Sequence, residues 1–200
     1  MSIWIEIQAR GDERRLFGLP SRLGSSKRTL LVNDEIREFL FGANRSERQR
    51  ACSEALRSEL DAYSEGDPVD VAADPFRAGV AFFSRLYPPE DSLWEIRPRF
   101  LASNLRLFGA FAACDTFIAM SWSPRAYLKG RRSLEWKDAI RLCKAEWRRL
   151  FPTYNPHAGS YVCDYFSEGA FLIGNTPRAA DSCARRKARL LPCSPEEEIL

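Results

Sequence analysis

The chain has 200 residues, of which 45% are apolar and 28% charged, a balance that excludes a disordered or low-complexity protein and suits a folded one. Its formal net charge is only +3, yet residues 97–149 hold 12 Lys and Arg against 4 Asp and Glu, so this stretch carries +8 and the remainder −5. Positive charge gathered in one stretch marks either a nucleic-acid-binding surface or a solvated face whose cations block edge-to-edge aggregation.

The opening residues, Met1 to Glu6, lack the basic start and long apolar run of a secretory signal. The longest apolar run, Leu107–Cys114, is too short to span a bilayer, so a cytoplasmic chain with no membrane partner is expected. Six scattered cysteines form no close pair and are expected to stay reduced. His157 and Cys163 are near in sequence but lack the paired spacing of a zinc site, and neither metal nor cofactor is expected.

In chain order, Ser2–Ile7 alternates Ile3, Ile5 and Ile7 with Trp4 and Glu6 and predicts a first strand. Residues 8–30, broken by Gly11, Gly18, Pro20 and Gly24, predict a loop or irregular hairpin, with a possible short strand at Thr29–Val32. Asn33 and Asp34 cap a helix that stops at Gly42. Ser46 and Gln49 fit a capping box for a second helix over about Glu47–Tyr63, with Cys52, Ala55, Leu56, Leu60 and Tyr63 as its apolar stripe. Residues 64–75 read as an acidic, proline-bounded loop, and Phe76–Leu86 as a three-turn helix ended by Pro88 and Pro89.

Three strands follow. Leu93–Arg97 alternates Trp94 and Ile96 with Glu95 and Arg97, and the apolar runs Leu105–Cys114 and Thr116–Trp122 are separated by Asp115. Short links make this an antiparallel meander. Leu128–Arg132 is a basic turn, Ser133 an N-cap, and Trp136, Ala139, Ile140, Cys143, Trp147 and Leu150 the buried stripe of a closing helix. Its Lys144 and Arg148 are expected to be solvated. Residues 152–200 hold five prolines, an aromatic piece, a basic run at Arg185–Arg189 and an acidic end, and predict an irregular extension that frays.

The order of strand, helical hairpin, three-strand meander and closing helix resembles the RelE/HigB toxin family of type II toxin–antitoxin systems. The likeness is carried by Leu93–Arg97 (LWEIR), Asn104–Phe108 (NLRLF), Thr116–Trp122, Arg125–Arg132 and Leu134–Leu150, with the hairpin at Asp34–Tyr63. It implies an α+β fold with a small antiparallel sheet. The core would occupy residues 1–151, with insertions at 8–30 and 66–90, and residues 152–200 would be an extension. It implies a metal-independent endoribonuclease cutting mRNA, possibly on the ribosome, and held in check by a cognate antitoxin. A non-catalytic module binding nucleic acid or protein, or a ParE-like topoisomerase inhibitor, are the alternatives. The chain departs from the family in its length, in its less lysine-rich turn and in having its sole histidine, His157, beyond the closing helix.

Such cleavage needs a proton acceptor for the ribose 2′ hydroxyl, a donor for the leaving oxygen and positive charge on the phosphate. Period-two alternation sets Glu95 and Arg97 on one strand face, and Arg106 lies on the neighbouring strand. A cluster of Glu95, Arg97, Arg106 and Arg125 is thus expected, with Arg97 and Arg106 holding the phosphate and Arg125 or Lys129 protonating the leaving oxygen. Glu95, Lys129 or Tyr127 would accept the proton, or Tyr127 would stack on a base. Arg99, Arg131 and Arg132 are candidate RNA contacts. The competing reading makes Glu95 with Arg97 or Arg106 a structural ion pair worth under about 1 kcal/mol.

Overall fold

A computed structural model describes residues 2–13, 15–19, 26–72, 81–99, 104–167 and 169–173. The architecture is α+β. One mixed sheet is built from β1 (Leu16–Gly18), β2 (Thr29–Asn33), β3 (Val69–Ala72), β4 (Phe83–Arg85), β5 (Leu93–Ile96), β6 (Leu105–Ala113), β7 (Thr116–Pro124) and β8 (Phe171–Ile173). Its eight strands lie in the order β1-β2-β7-β6-β5-β4-β3-β8, larger than the small antiparallel sheet expected. The predicted meander is there: β5, β6 and β7 are consecutive antiparallel neighbours. Parallel pairs flank it, β2 with β7 on one side and β3 with β4 and β8 on the other.

Strand alternation splits the interior into two cores. Leu30, Val32, Trp94, Ile96, Leu107, Phe111, Phe117 and Ala119 face one side, where α2 (Asp34–Phe41) and α3 (Glu47–Glu65) cover them with Ile36, Leu40, Leu56, Leu60 and Tyr63. Their alternating neighbours Leu31, Leu93, Phe108, Ala110, Ile118 and Met120 face the other side. There α4 (Leu134–Leu150) inserts Trp136, Ala139, Cys143, Trp147 and Leu150. The first core is dense in rings: Phe111 lies 5.0 Å from both Phe117 and Phe166, and Trp94 lies 4.9 Å from Tyr165. Each such pair adds about 0.5–1.5 kcal/mol to what burial supplies.

The helix ends follow the local signals. The Asn33 side chain accepts from the Ile36 amide, Ser46 and Gln49 close a reciprocal capping box, and Ser133 accepts from the Trp136 amide. Three predicted elements differ. Ser2–Ile7 is not a strand but the start of α1 (Ile3–Asp12), capped by Ser2. Ile3 and Ile7, one helical turn apart, pack on the second core while Ile5 is 57% exposed. Arg10 then pins α1 by donating from Nε to the Leu150 carbonyl at 2.8 Å. The acidic loop contains β3, in which Val69 and Val71 are buried and Asp70 and Ala72 half-buried. The three-turn helix is overturned at its end, because Phe83 and Ser84 pair with Ile96 and Glu95 as β4, and residues 76–80 lie outside the described residues.

Of the extension, Val162, Tyr165 and Phe166 fill the first core, and β8 joins the sheet beside β3. The basic run at 185–189 lies outside the described residues. Cys52, Cys114, Cys143 and Cys163 form no disulfide among the described residues. Among the described residues no helix is long and apolar enough to cross a membrane.

Arg28 ties these layers together at 3% exposure. Its guanidinium donates to the carbonyls of Tyr63, Asp67, Gly66 and Ala170 at 2.9–3.2 Å, satisfying the end of α3 and the approach to β8 at once. Nε lies 3.8 Å from Asp115, in the two-residue turn between β6 and β7. Replacing Arg28 by Met strands these acceptors and is expected to lower stability by about 3 kcal/mol in urea unfolding. Arg48→Met, on the exposed side of α3, should stay within about 0.5 kcal/mol of the parent. Equal midpoints for the two variants would contradict this role.

Candidate functional site around Glu95

In β5, Trp94 and Ile96 enter the hairpin-side core, so Leu93 and Glu95 face α4. The register sets Glu95 opposite Phe108 of β6, and Arg106, two residues earlier, shares that face. Glu95 is 1% exposed. Its Oε1 accepts from Arg131 Nη2 at 3.0 Å. Its Oε2 lies 3.2 Å from Arg106 Nε as an ion pair without the geometry of a hydrogen bond. Arg97 and Arg125 are near enough to act on the same charge.

Local structure fixes each arm. Arg106 Nη1 donates to the Leu105 carbonyl at 2.7 Å. Arg125 Nη1 donates to the Lys129 carbonyl at 3.2 Å, closing the turn after β7. Arg131 enters from the residues just before α4. There Ser133 Oγ donates to the Leu128 carbonyl at 2.7 Å while accepting from Trp136, which holds the turn against the helix start. Arg97 Nη1 is buried with no hydrogen-bond acceptor among the described residues, a donor left over in a crowded site.

Four guanidiniums thus surround one carboxylate, and positive charge is in excess. Burial pushes the Glu95 carboxyl above the usual carboxylate range, against the pull of Arg131, Arg106, Arg97 and Arg125. Burial also lowers Arg106 and Arg131, opposed by Glu95 and reinforced by the like charges beside them. Both stay protonated, because a guanidinium starts so far above neutrality. An arginine cluster with unspent donors is suited to a phosphate, which offers planar forks several acceptors at once.

The expected set of Glu95, Arg97, Arg106 and Arg125 is therefore brought together. Arg131, expected only as an RNA contact, is one of the two closest partners of Glu95. The signal for it was available: a basic turn running straight into the cap of the helix that covers the Glu95 face. Lys129 is not in the cluster. It forms an ion pair with Glu135, which raises the lysine and lowers the glutamate, both on the surface. Tyr127 is 66% exposed and makes no contact with Glu95. Arg132 is exposed beside Arg131. Arg99 belongs to the opposite side of the sheet: it pairs with Asp70 at 3.1 Å, lies 6.0 Å over Phe82, and its amide donates to Glu59 at 2.9 Å. His157 is held by the Asp164 carbonyl at 2.9 Å and by the Tyr165 ring. Among the described residues no three His, Cys, Asp or Glu side chains gather as a metal site would require.

Comparison with protein-family models, curated proteins and solved structures returns no match.

Because the folded value of Glu95 is raised, its contribution to stability is full below the ordinary carboxylate range and is lost as pH rises through that value. Urea unfolding of the parent and Glu95→Gln across acid to neutral pH isolates this group. The parent is expected to lose stability relative to the variant as pH increases. A difference that stays flat means that the guanidiniums cancel the cost of burial.

Proposed function

We propose that the chain binds RNA through its phosphates at the Glu95 arginine cluster and cleaves it without a metal, as the toxin of a toxin–antitoxin pair. The observation that carries this reading is the excess of guanidiniums around one buried carboxylate, with Arg97 Nη1 unsatisfied. The element order adds support. With β2 in place of the helical Ser2–Ile7, the elements β2, α2 with α3, β5 to β7 and α4 follow the order on which the resemblance to RelE and HigB toxins rests, with α1 and β1 added before them and β3 and β4 inserted between α3 and β5.

A phosphate competes with Glu95 for the guanidiniums. Arg131, with its side chain 32% exposed against 13% for Arg106, is the more accessible of the two arms on Glu95, and its displacement by a phosphate would uncover a carboxyl whose raised value suits a proton acceptor. In the proposed step the 2′ oxygen loses its proton to Glu95 and bonds to phosphorus. The bond from phosphorus to the 5′ oxygen breaks, that oxygen takes up a proton from water, a cyclic phosphate is left, and Glu95 returns its proton to solvent. Arg97 and Arg106 stabilise the added charge on phosphorus, and Arg125 donates toward the leaving oxygen.

A non-catalytic RNA-binding role is the second reading, favoured by the depth at which Glu95 lies beneath Arg106 and Arg131. Brief induction of the chain alone, followed by primer extension on mRNA, separates the two. New 5′ ends are expected, falling about a hundredfold or more in Arg97→Ala with Arg106→Ala. The cleavage rate should rise with pH through a midpoint above the ordinary carboxylate range, and Glu95→Gln should remove that limb. RNA binding with no new 5′ ends would favour the second reading, and unchanged cleavage in the double variant would refute the assigned site.

A further inference from the structure

Beside the Glu95 cluster lies a cavity of about 630 Å³ between the turn after β4 and the first three turns of α4. Its walls are apolar where Leu86, Pro88, Trp136 and Ile140 meet. Tyr87 stands at its edge, 45% exposed. The rim is cationic, from Arg131, Arg132 and Lys137, while the Lys144 cation is already matched by Asp91. Arg131 belongs to both places: Nη2 holds Glu95, and its guanidinium lies 5.8 Å over the Trp136 ring.

We infer that this cavity receives an unpaired nucleobase of the RNA whose phosphate sits at the Glu95 cluster. The inference rests on the RNA reading above and deepens it. The volume lies in the range of small-molecule sites and has room for a flat base together with its ribose. An aromatic edge at Tyr87 offers the stacking surface by which unpaired bases are held. Positive charge at the rim, continuous through Arg131 with the phosphate site, matches a ligand that carries its negative charge on a backbone next to an apolar ring. An acidic peptide with one apolar side chain would satisfy the rim but gives no reason for the phosphate-suited cluster next door.

The test measures binding of a short single-stranded RNA and of an abasic ribose–phosphate oligomer of the same length, by fluorescence anisotropy, together with an acidic peptide of equal charge. The RNA is expected to bind about tenfold or more tightly than the abasic oligomer, since one stacked base contributes on that scale. Tyr87→Ala should close the gap and leave the abasic affinity unchanged. Ile140→Trp, which narrows the cavity from the helix side, should do the same. Arg97→Ala should weaken both oligomers alike. Equal binding of the two oligomers by the parent, or a gap that survives both cavity variants, overturns the base pocket while leaving the phosphate site standing. Binding of the peptide with neither oligomer bound overturns the RNA reading and the pocket with it.

Discussion

The constraint that shapes this molecule is a carboxylate in the interior. Glu95 sits in the middle of a short strand whose other residues are all buried, and its own exposure is 1%. A charge there costs several kcal/mol unless cations come to it. They come from three directions: from Arg97 just past the end of β5, from Arg106 across the ladder in β6, and from Arg125 and Arg131 in the turns between β7 and α4. Those cations outnumber the carboxylate they serve. A structural ion pair needs one partner, and the surplus is what makes the site a candidate for an anion from outside.

The two-faced sheet keeps this chemistry separate from the structural work. The hairpin face holds the ring cluster of Phe83, Phe111, Phe117 and Phe166, with the buried Arg28 and Arg85 set against the rings of Tyr63 and Tyr165. The α4 face is apolar under the helix and gathers its arginine cluster at the end where β5, β6 and the 128–133 turn meet. Arg28, buried far from Glu95 in the ladder, is cationic too, but its donors are spent on four carbonyls. The contrast between Arg28, saturated by backbone, and Arg97, with a buried donor unspent, is the physical difference between a brace and a binding group.

Much of this was legible in the residues because the relevant signals are local. Asn33, Ser46 with Gln49 and Ser133 cap helices through contacts only three residues long, and period-two alternation set Glu95 and Arg97 on one face, with Arg106 placed beside them by the register of β5 on β6. The failures occurred where two readings fit the same letters or where the partner is distant. Ile3, Ile5 and Ile7 satisfy a strand, yet Ile3 and Ile7 also satisfy a helix, and the Ser2 cap and the Arg10 bond to Leu150 favour the helix. Val69–Ala72 alternates correctly, but its sheet neighbours include β8, about a hundred residues away. Arg131 was legible only as an RNA contact in a basic turn, because its proximity to Glu95 depends on how α4 docks.

The central claim is that this surplus of guanidinium charge meets RNA phosphates, and the salt dependence of binding tests it most directly. For a single-stranded RNA, the logarithm of the affinity should fall linearly with the logarithm of salt concentration, with a slope of about −0.7 for each phosphate neutralised. The account predicts that Arg97→Ala makes this slope shallower by about that increment while the fold is retained. A slope unchanged by the substitution, or binding insensitive to salt, would contradict it.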